Sequence, residues 1–499
     1  MKESRREFLK KAGGAIGVTT LASQMGYFGM INAFANMRVK AAPQIKKSLV
    51  MIFLAGGNDG NNTVVPNHGG TNGYTTYASG RGDLVIPQTS LLGIGVPGLG
   101  DFGLHPSLGV LPTIPSNCNS SINSGIHELW GLGRMAIVTN VGTLVKPTTQ
   151  SQYITDPNHP KPYQLFSHSD QIEQHQSAIS NGTDYKGWGG RISEKVTNEG
   201  NLPMLTSIAG SQLFITGGPT PLVVSDATTG LNTLFMLDHN GTPYSSIDPA
   251  FRGLVNPTAT PIPTPAKFVS AANAITNNAL LAQAEFSGNY EVTCPDRFPQ
   301  TSIGQQLKQV ARLIKLSEPL PSSHKIYFCQ LGGFDTHNSQ LIQHSSLLYQ
   351  LSQAVRAFYD EIDETGLGNT VTTFTMSDFN RTFSPNSNGS SAGSDHAWGN
   401  HQFVIGGAVD GGKFYGIDTP NGTPFPTLTV GGVSDIETGP GARGRWIPTT
   451  SVQEYAAALA RWFGLPASEI NNVFPNYLMN FNDPSRCSKL NFLGTPPCI

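Results

Sequence analysis

The hydrophobic residues of this chain are concentrated in short continuous runs that end at glycine or at polar turn residues. The first run covers positions 48–54 and stops at Ala55-Gly56-Gly57. Continuous apolar runs of this length are typical of strands that are buried on both faces of a parallel sheet. Four similar runs follow, at 135–138, 325–329, 371–376 and 403–405. The pattern therefore predicts a buried sheet whose strands are spread along the chain.

Between two of these runs, apolar residues recur at spacings of three and four over positions 340–365, which predicts an amphipathic helix. Strand, helix and strand in this order indicate a crossover connection and parallel pairing. A second helix is predicted over 452–463, ended by Gly464 and Pro466, and should pack against the sheet. The sequence therefore predicts an α/β fold with a mostly parallel sheet.

Composition narrows the class of protein. The 499 residues include 31 Lys+Arg and 33 Asp+Glu, a formal charge of −2, which argues against a nucleic-acid or anionic-membrane binder. Abundant glycine and proline indicate a loop-rich globular protein. We expect one domain over 36–499, in which the turn-rich section at about 200–301 is an insertion or cap; a linker between independent domains is the alternative.

The amino terminus has the pattern of a twin-arginine export signal. Ser4-Arg5-Arg6-Glu7-Phe8-Leu9-Lys10 precedes a weakly hydrophobic stretch and the small residues Ala33-Phe34-Ala35, which predicts a signal peptide over 1–35 and cleavage after Ala35. The partner during export would be the twin-arginine translocase, and the mature protein would be periplasmic or extracellular. The alternative is a basic amphipathic helix of a cytosolic protein. No later stretch approaches the ~20 apolar residues of a membrane span.

The five cysteines show no C-x-x-C metal spacing. Cys329 lies in an apolar run and is predicted to be buried. Cys487 and Cys498 are close in sequence, so a disulfide between them is compatible with an oxidising periplasm.

Acidic and histidine side chains follow the predicted strands where each strand ends. Because the carboxyl ends of parallel strands border the ligand crevice in open α/β sheets, these residues are candidates for one shared site. Asp oxygen and neutral His nitrogen are ligands for zinc and other divalent ions. Taken singly, each residue has a simpler interpretation as a turn, cap or loop residue. The candidate metal ligands are Asp59, Asp335, His337, Asp378 and His396.

This arrangement favours metal-assisted ester hydrolysis. Two ions a few ångströms apart can hold the attacking and leaving oxygens of a phosphate or sulfate ester. Arg381 is the candidate for binding the oxyanion through two parallel hydrogen bonds. Ser167 precedes a polar segment that is predicted to be helical. There it is either a nucleophile in the positive field of the helix amino terminus or a simple N-cap.

These motifs resemble the bacterial family of unknown function numbered 1501 (DUF1501), whose members usually carry a twin-arginine signal. The resemblance runs over nearly all of the chain after the signal. The motifs that carry it are 53–66, Leu104-His105-Pro106-Ser107-Leu108, Ser167-His168-Ser169-Asp170, Gly187-Trp188-Gly189-Gly190-Arg191, Gly332-Gly333-Phe334-Asp335-Thr336-His337, Ser377-Asp378-Phe379-Asn380-Arg381-Thr382, and Ser394-Asp395-His396 with Gly406-Gly407.

That family looks like a remote branch of the alkaline phosphatase and sulfatase superfamily. The resemblance implies a doubly wound sheet with helices on both faces and a metal site at its carboxyl edge. By position, Asp59 looks like the carboxylate after the first strand and Ser167 like the nucleophile, and the other candidates look like the remaining ligands. The chain departs from the superfamily at Phe379, where a histidine is common, and in the short spacing between Asp335 and His337.

Two functional hypotheses follow. The first is an exported hydrolase, dependent on zinc or another divalent metal, that acts on a small-molecule or polymer-linked phosphate or sulfate ester. The second is a non-catalytic exported binding or scaffold protein that retains the fold.

Overall fold

The computed structural model describes residues 46–109, 118, 125–198, 202–218, 221–223, 273, 291–317 and 324–498. The predicted signal peptide, 1–35, lies outside the described residues. So does most of the predicted insertion at about 200–301, whose assignment stays a prediction. Of its described residues, those at 202–218 and 221–223 add two short strands to the main sheet.

Twelve strands are assigned within the described ranges. In chain order they are β1 (Ser48–Ala55), β2 (Val64–Pro66), β3 (Leu92–Val96), β4 (Gly100–Leu104), β5 (Met135–Gly142), β6 (Leu205–Ser207), β7 (Leu222–Val223), β8 (Lys325–Gly332), β9 (Val371–Ser377), β10 (Asn400–Gly406), β11 (Phe414–Tyr415) and β12 (Thr450–Ser451).

The α-helices of the same ranges include three long ones in the second half of the chain and several short ones. In chain order they are α1 (Gly60–Thr63), α2 (Tyr74–Arg81), α3 (His127–Gly131), α4 (Gln150–Thr155), α5 (His168–Ser177), α6 (Trp188–Ser193), α7 (Ser302–Ser317), α8 (Gln340–Glu364), α9 (Val452–Phe463), α10 (Ile470–Val473), α11 (Tyr477–Asn480) and α12 (Pro484–Cys487).

The central sheet is mostly parallel, as predicted. Its strand order is β11-β5-β10-β9-β1-β8-β6-β7, and β12 pairs with β5 outside this path. Strand β1 lies between β8 and β9 and runs parallel to both. Strand β10 runs antiparallel to β9 and β5, and it is the one reversed strand of the described sheet. A separate antiparallel sheet has the order β2-β4-β3.

The two faces of the sheet bury two different hydrophobic cores. Even-numbered residues of β1, such as Val50 and Ile52, pack into the core that contains the buried faces of α7 and α8. Odd-numbered residues, such as Met51 and Phe53, pack into the core that contains α9. Side chains of a strand alternate between faces, so a continuously apolar strand requires both layers. The prediction of helices on both faces is confirmed.

The predicted helices are present at nearly the predicted bounds. Helix α8 ends at Glu364, one residue before the predicted end. Helix α9 begins after Ser451, whose hydroxyl accepts from the Glu454 amide N–H while the Glu454 side chain accepts from the Ser451 amide N–H. This capping box satisfies amide groups that have no partner within the helix. Gly464 ends the helix at a φ of 125°.

Because β10 is reversed, a histidine that precedes it lies at the edge of the sheet where β1, β8 and β9 end. A strand that runs opposite to its neighbours begins at the edge where they end. His396 lies four residues before Asn400, the first residue of β10, and pairs in an isolated antiparallel bridge with Arg381, just beyond β9. His396 therefore joins the side chains that follow β1, β8 and β9.

Two disulfides join described cysteines, Cys118–Cys294 and the predicted Cys487–Cys498. Cys329 is unpaired and buried, as predicted. Among the described helices, none has the length and apolar character needed to span a bilayer.

Candidate metal centre

The loops that follow β1 and β8 touch at a glycine. Gly56 has a φ of +114°, and a Cβ at this position would lie 2.4 Å from the amide nitrogen of Asp335. No other residue type fits both the conformation and the close approach. The amide of Gly56 also donates to Asp378 Oδ1 at 3.0 Å. The turn after the first strand therefore sets the positions of two candidate carboxylates.

Three side chains at this edge lie close enough together to bind one metal ion. One ligand atom each of His168, Asp335 and His396 lies within 4.8 Å of the others. The Nε2 atoms of His168 and His396 are 3.4 Å and 3.3 Å from Asp335 Oδ1. Ligand atoms of a tetrahedral zinc are separated by about 3.3–3.5 Å, because each lies about 2.0–2.2 Å from the ion.

His337 adds a third imidazole next to this cluster. Its Nε2 atom lies 2.9 Å from Asp335 Oδ1 and 3.1 Å from the Nε2 atom of His396. Asp335 and His337 therefore meet as the spacing after β8 predicts.

The opposite nitrogen of each imidazole is held by an acceptor. Nδ1 of His168 lies 2.7 Å from Asp378 Oδ2, and Nδ1 of His396 lies 2.9 Å from the carbonyl oxygen of Phe166. Nδ1 of His337 lies 3.3 Å from a carboxylate oxygen of Asp395. With a proton assigned to each Nδ1, the three Nε2 lone pairs face the Asp335 carboxylate.

This arrangement of lone pairs suits a cation. Nε2 of His168 is buried and makes no hydrogen bond within the described part of the chain, although Asp335 Oδ1 is near it. A buried polar atom without a partner is costly unless a ligand satisfies it. The residues present therefore fit a divalent metal ion.

The pKa values of the ionisable side chains in the cluster are shifted in different directions. Burial opposes ionisation of Asp335, but the hydrogen bond and positive charge of Arg381, followed by the charges of His337 and His168, hold the pKa of this carboxyl below its usual range. The hydrogen bond to Asp378 raises the pKa of His168. Burial lowers the pKa of His396. Because histidine binds a metal in its neutral form, a proton and an ion compete for His168.

Arg381 lies within the site but is already bonded. Its side chain is fully buried, and Nη1 donates to Asp335 Oδ1 at 2.7 Å and to the carbonyl oxygen of Gly56 at 3.3 Å. Nη2 donates to the carbonyl oxygen of Ser394. In this structure the guanidinium holds Asp335 in place.

Asp378 lies next to the cluster, behind His168. Its Oδ1 accepts from the Gly56 amide and its Oδ2 faces Nδ1 of His168, and the side chain is fully buried. Both oxygens are therefore engaged, and the position of Asp378 is that of a carboxylate that orients a histidine ligand.

Asp59 lies apart from the cluster. Its Oδ2 accepts from Arg81 Nη2 and from Gln340 Nε2, and the side chains of Asp59 and Arg81 are fully buried. Its Oδ1 is buried and has no hydrogen-bond partner among the described residues. The structure thus brings Asp335, His337 and His396 together and places Asp59 in a buried ion pair.

Ser167 occupies the N-cap position of α5, but its hydroxyl accepts no hydrogen bond from the helix backbone. Instead, Oγ donates to Asp170 Oδ2 and lies 3.1 Å from Ser169 Oγ. Ser167 directly precedes His168 and directly follows Phe166, whose carbonyl oxygen holds His396. The serine is therefore adjacent to the cluster along the chain and next to a carboxylate that can take its proton.

Three residues of the site were not among the sequence candidates: His168, Asp395 and Arg81. His168 and Asp395 lie within the family motifs, directly beside Ser167 and His396. Histidine and aspartate both bind metals or orient metal ligands, so the residue types were a usable signal. Arg81 lies 22 positions after Asp59, and no motif links the two.

Comparison with known families finds one match, over part of this chain. The family "Protein of unknown function (DUF1501)" matches residues 322–423. This segment contains Asp335, His337, Asp378, Arg381 and His396. The match is shorter than the resemblance expected from the motifs, several of which lie before it. No curated protein sequence matches the chain.

Similar solved structures are distant in sequence. Ps i-CgsB in complex with k-i-k-neocarrahexaose is 9% identical, with a TM-score of 0.32, over 88% of this chain and 77% of the other. The lipoteichoic acid synthase LtaP from Listeria monocytogenes is 7% identical, with a TM-score of 0.26, over 80% and 74%. Wild-type alkaline phosphatase PafA is 11% identical, with a TM-score of 0.25, over 69% and 64%. The fold class stated here rests on the sheet topology itself.

Proposed function

We propose that this protein is an exported hydrolase of phosphate or sulfate esters that uses a divalent metal, zinc in the first instance, bound by His168, Asp335 and His396. The observation that carries the proposal is the convergence of histidine Nε2 atoms on the Asp335 carboxylate. His337 lies within reach of the same centre.

A bound divalent ion would supply Lewis-acid stabilisation of the negative charge that develops on the ester oxygens. Asp378 and the Phe166 carbonyl fix the tautomer and direction of the two imidazole ligands. Arg381 holds the Asp335 carboxylate and balances its charge. These side chains keep the ligand atoms in place before a substrate arrives.

Ser167 is the proposed nucleophile. Its proton passes to Asp170, the oxygen forms a bond to phosphorus or sulfur, and the bond from that atom to the alcohol oxygen breaks. The alcohol leaves with the proton returned by Asp170. Water then attacks phosphorus or sulfur, gives a proton to Asp170, and releases the phosphate or sulfate as the serine oxygen regains that proton. The positive end of the α5 dipole favours the anionic group at this position.

Export is supported by the two disulfides, because such bonds form and persist in oxidising compartments. The twin-arginine signal over 1–35 is the proposed route.

A second candidate function is binding without turnover. It is favoured by Arg381, which in this structure is bonded to Asp335 and is not free to hold an oxyanion. Under this hypothesis the metal centre would bind an anionic partner group and leave it intact.

The experiment that tests the proposal uses the mature chain with zinc added, and p-nitrophenyl phosphate and p-nitrophenyl sulfate as substrates. Ser167→Ala should abolish turnover and leave the metal content unchanged. Ser169→Ala is the matched control, since it removes a neighbouring hydroxyl of the same helix start, and should retain turnover. His396→Ala should lose the metal. Zinc binding with no turnover of either ester would contradict the hydrolase and favour the binding protein.

A further inference from the structure

The sequence pattern suggests two metal ions, but the structure provides for one. We infer that the site takes a single divalent ion, and that the Arg81 guanidinium supplies to Asp59 the positive charge that a second ion would supply. This inference rests on the proposed function, whose metal centre it specifies.

Arg81 is fixed in place by partners on several elements. Its Nε donates to Asn62 Oδ1 at 3.0 Å, and its Nη1 donates to the carbonyl oxygens of Thr382 at 3.1 Å and Phe383 at 2.7 Å. Its Nη2 donates to Asp59. A guanidinium held on three sides by the loops after β1 and β9 is part of the fold and does not move aside for an ion.

A second ion would also lack ligands. Both oxygens of Asp378 are engaged, by the Gly56 amide and by His168. Asp59 Oδ2 is engaged by Arg81 and Gln340. Asp59 Oδ1 is the remaining carboxylate oxygen of these two residues without a partner, and a single oxygen does not make a zinc site.

The balance of charge also favours one metal ion. Five carboxylates in and around the site face three guanidinium groups, which leaves two negative charges when the histidines are neutral. The carboxylates are Asp59, Asp170, Asp335, Asp378 and Asp395, and the guanidinium groups are Arg81, Arg381 and Arg443. One divalent ion would neutralise this set, whereas two ions would leave two positive charges beside the fully buried Asp59 and Asp378.

Hydrogen bonds connect the two halves of the site. Gln340 donates from Nε2 to Asp59 and accepts at Oε1 from the Ser394 hydroxyl. The Ser394 carbonyl oxygen accepts from Arg381, which donates to Asp335. The Asp59–Arg81 pair is thus joined to the metal ligand Asp335 by a continuous chain of bonds.

Metal counting tests the inference. The full mature chain is stripped with EDTA, incubated with excess zinc chloride, desalted and analysed for zinc per chain by inductively coupled plasma mass spectrometry. We expect one zinc per chain for the wild type and for Asp59→Asn, and none for His396→Ala. His127→Asn, at an exposed histidine that bonds the Gly93 carbonyl oxygen, is the control and should retain one zinc.

Two zinc ions per wild-type chain would overturn the inference and leave the proposed metal centre standing. Loss of zinc in a folded Asp59→Asn variant, verified by circular dichroism, would also overturn it. If Asp59→Asn does not fold, the wild-type count decides alone. No zinc on the wild type would contradict the proposed function, and the inference with it.

Discussion

Asp378 is the most informative residue to change, since it touches a proposed metal ligand without belonging to the ligand set. In Asp378→Asn one carboxylate oxygen becomes an NH₂ group. An NH₂ group cannot accept a hydrogen bond. In the wild type the Gly56 amide donates to Oδ1 at 3.0 Å, and Nδ1 of His168 lies 2.7 Å from Oδ2. One of the two donors must therefore lose its partner, or His168 must change tautomer and present a protonated Nε2 to the metal.

The expected cost follows from the burial of this contact. The Asp378 side chain is fully buried, so water cannot replace the lost acceptor. Loss of an outer carboxylate that orients a histidine ligand typically lowers metal affinity by about 10- to 100-fold. This corresponds to roughly 1.4 to 2.7 kcal/mol of binding free energy. We expect the zinc affinity of Asp378→Asn to fall within this range.

The assay is competition titration of zinc against a chromophoric chelator at fixed pH, with the wild type and the variant in parallel. Asp395→Asn is the matched control, because Asp395 faces Nδ1 of His337 at 3.3 Å and both side chains are partly exposed, 34% and 43%. Water can replace that contact, so the control should lose much less affinity. A folded Asp378→Asn variant that binds zinc as tightly as the wild type would refute the assigned orientation of His168.

Two further predictions concern stability. Burial lowers the pKa of Lys325 to about 7, whereas an unfolded lysine titrates near 10.4. Between these two pH values the unfolded chain therefore binds more protons than the folded chain. The free energy of unfolding should rise with pH in this range, by up to ~1.4 kcal/mol per pH unit. Lys325→Met should remove this rise in urea unfolding followed from about pH 7 to 9; an unchanged slope would exclude Lys325 as its source. Ser451→Ala, which breaks the capping box with Glu454, should lower the free energy of unfolding by about 1 kcal/mol in the same assay, and an unchanged value would contradict a stabilising role for this cap.

Much of the fold could be predicted from the sequence, because the central strands are buried on both faces. Strand β1 is continuously apolar and lies between β8 and β9, so its composition reports its position directly. The direction of β10 could not be predicted in this way. A central strand has the same composition whether it runs parallel or antiparallel to its neighbours.

The site was predicted less completely, because carboxylates at strand ends do not reveal their partners. Asp335, His337 and His396 meet as the pattern indicates. Asp59 follows β1 in the same pattern, yet it pairs with Arg81 from α2, and this contact depends on tertiary packing alone.

Crystals of the zinc-loaded mature protein, measured on both sides of the zinc absorption edge, would show whether the ion binds at the proposed centre. We expect an anomalous peak within coordination distance of His168 Nε2, Asp335 Oδ1 and His396 Nε2. A map with no peak there, in which these side chains bond only to one another, would contradict it.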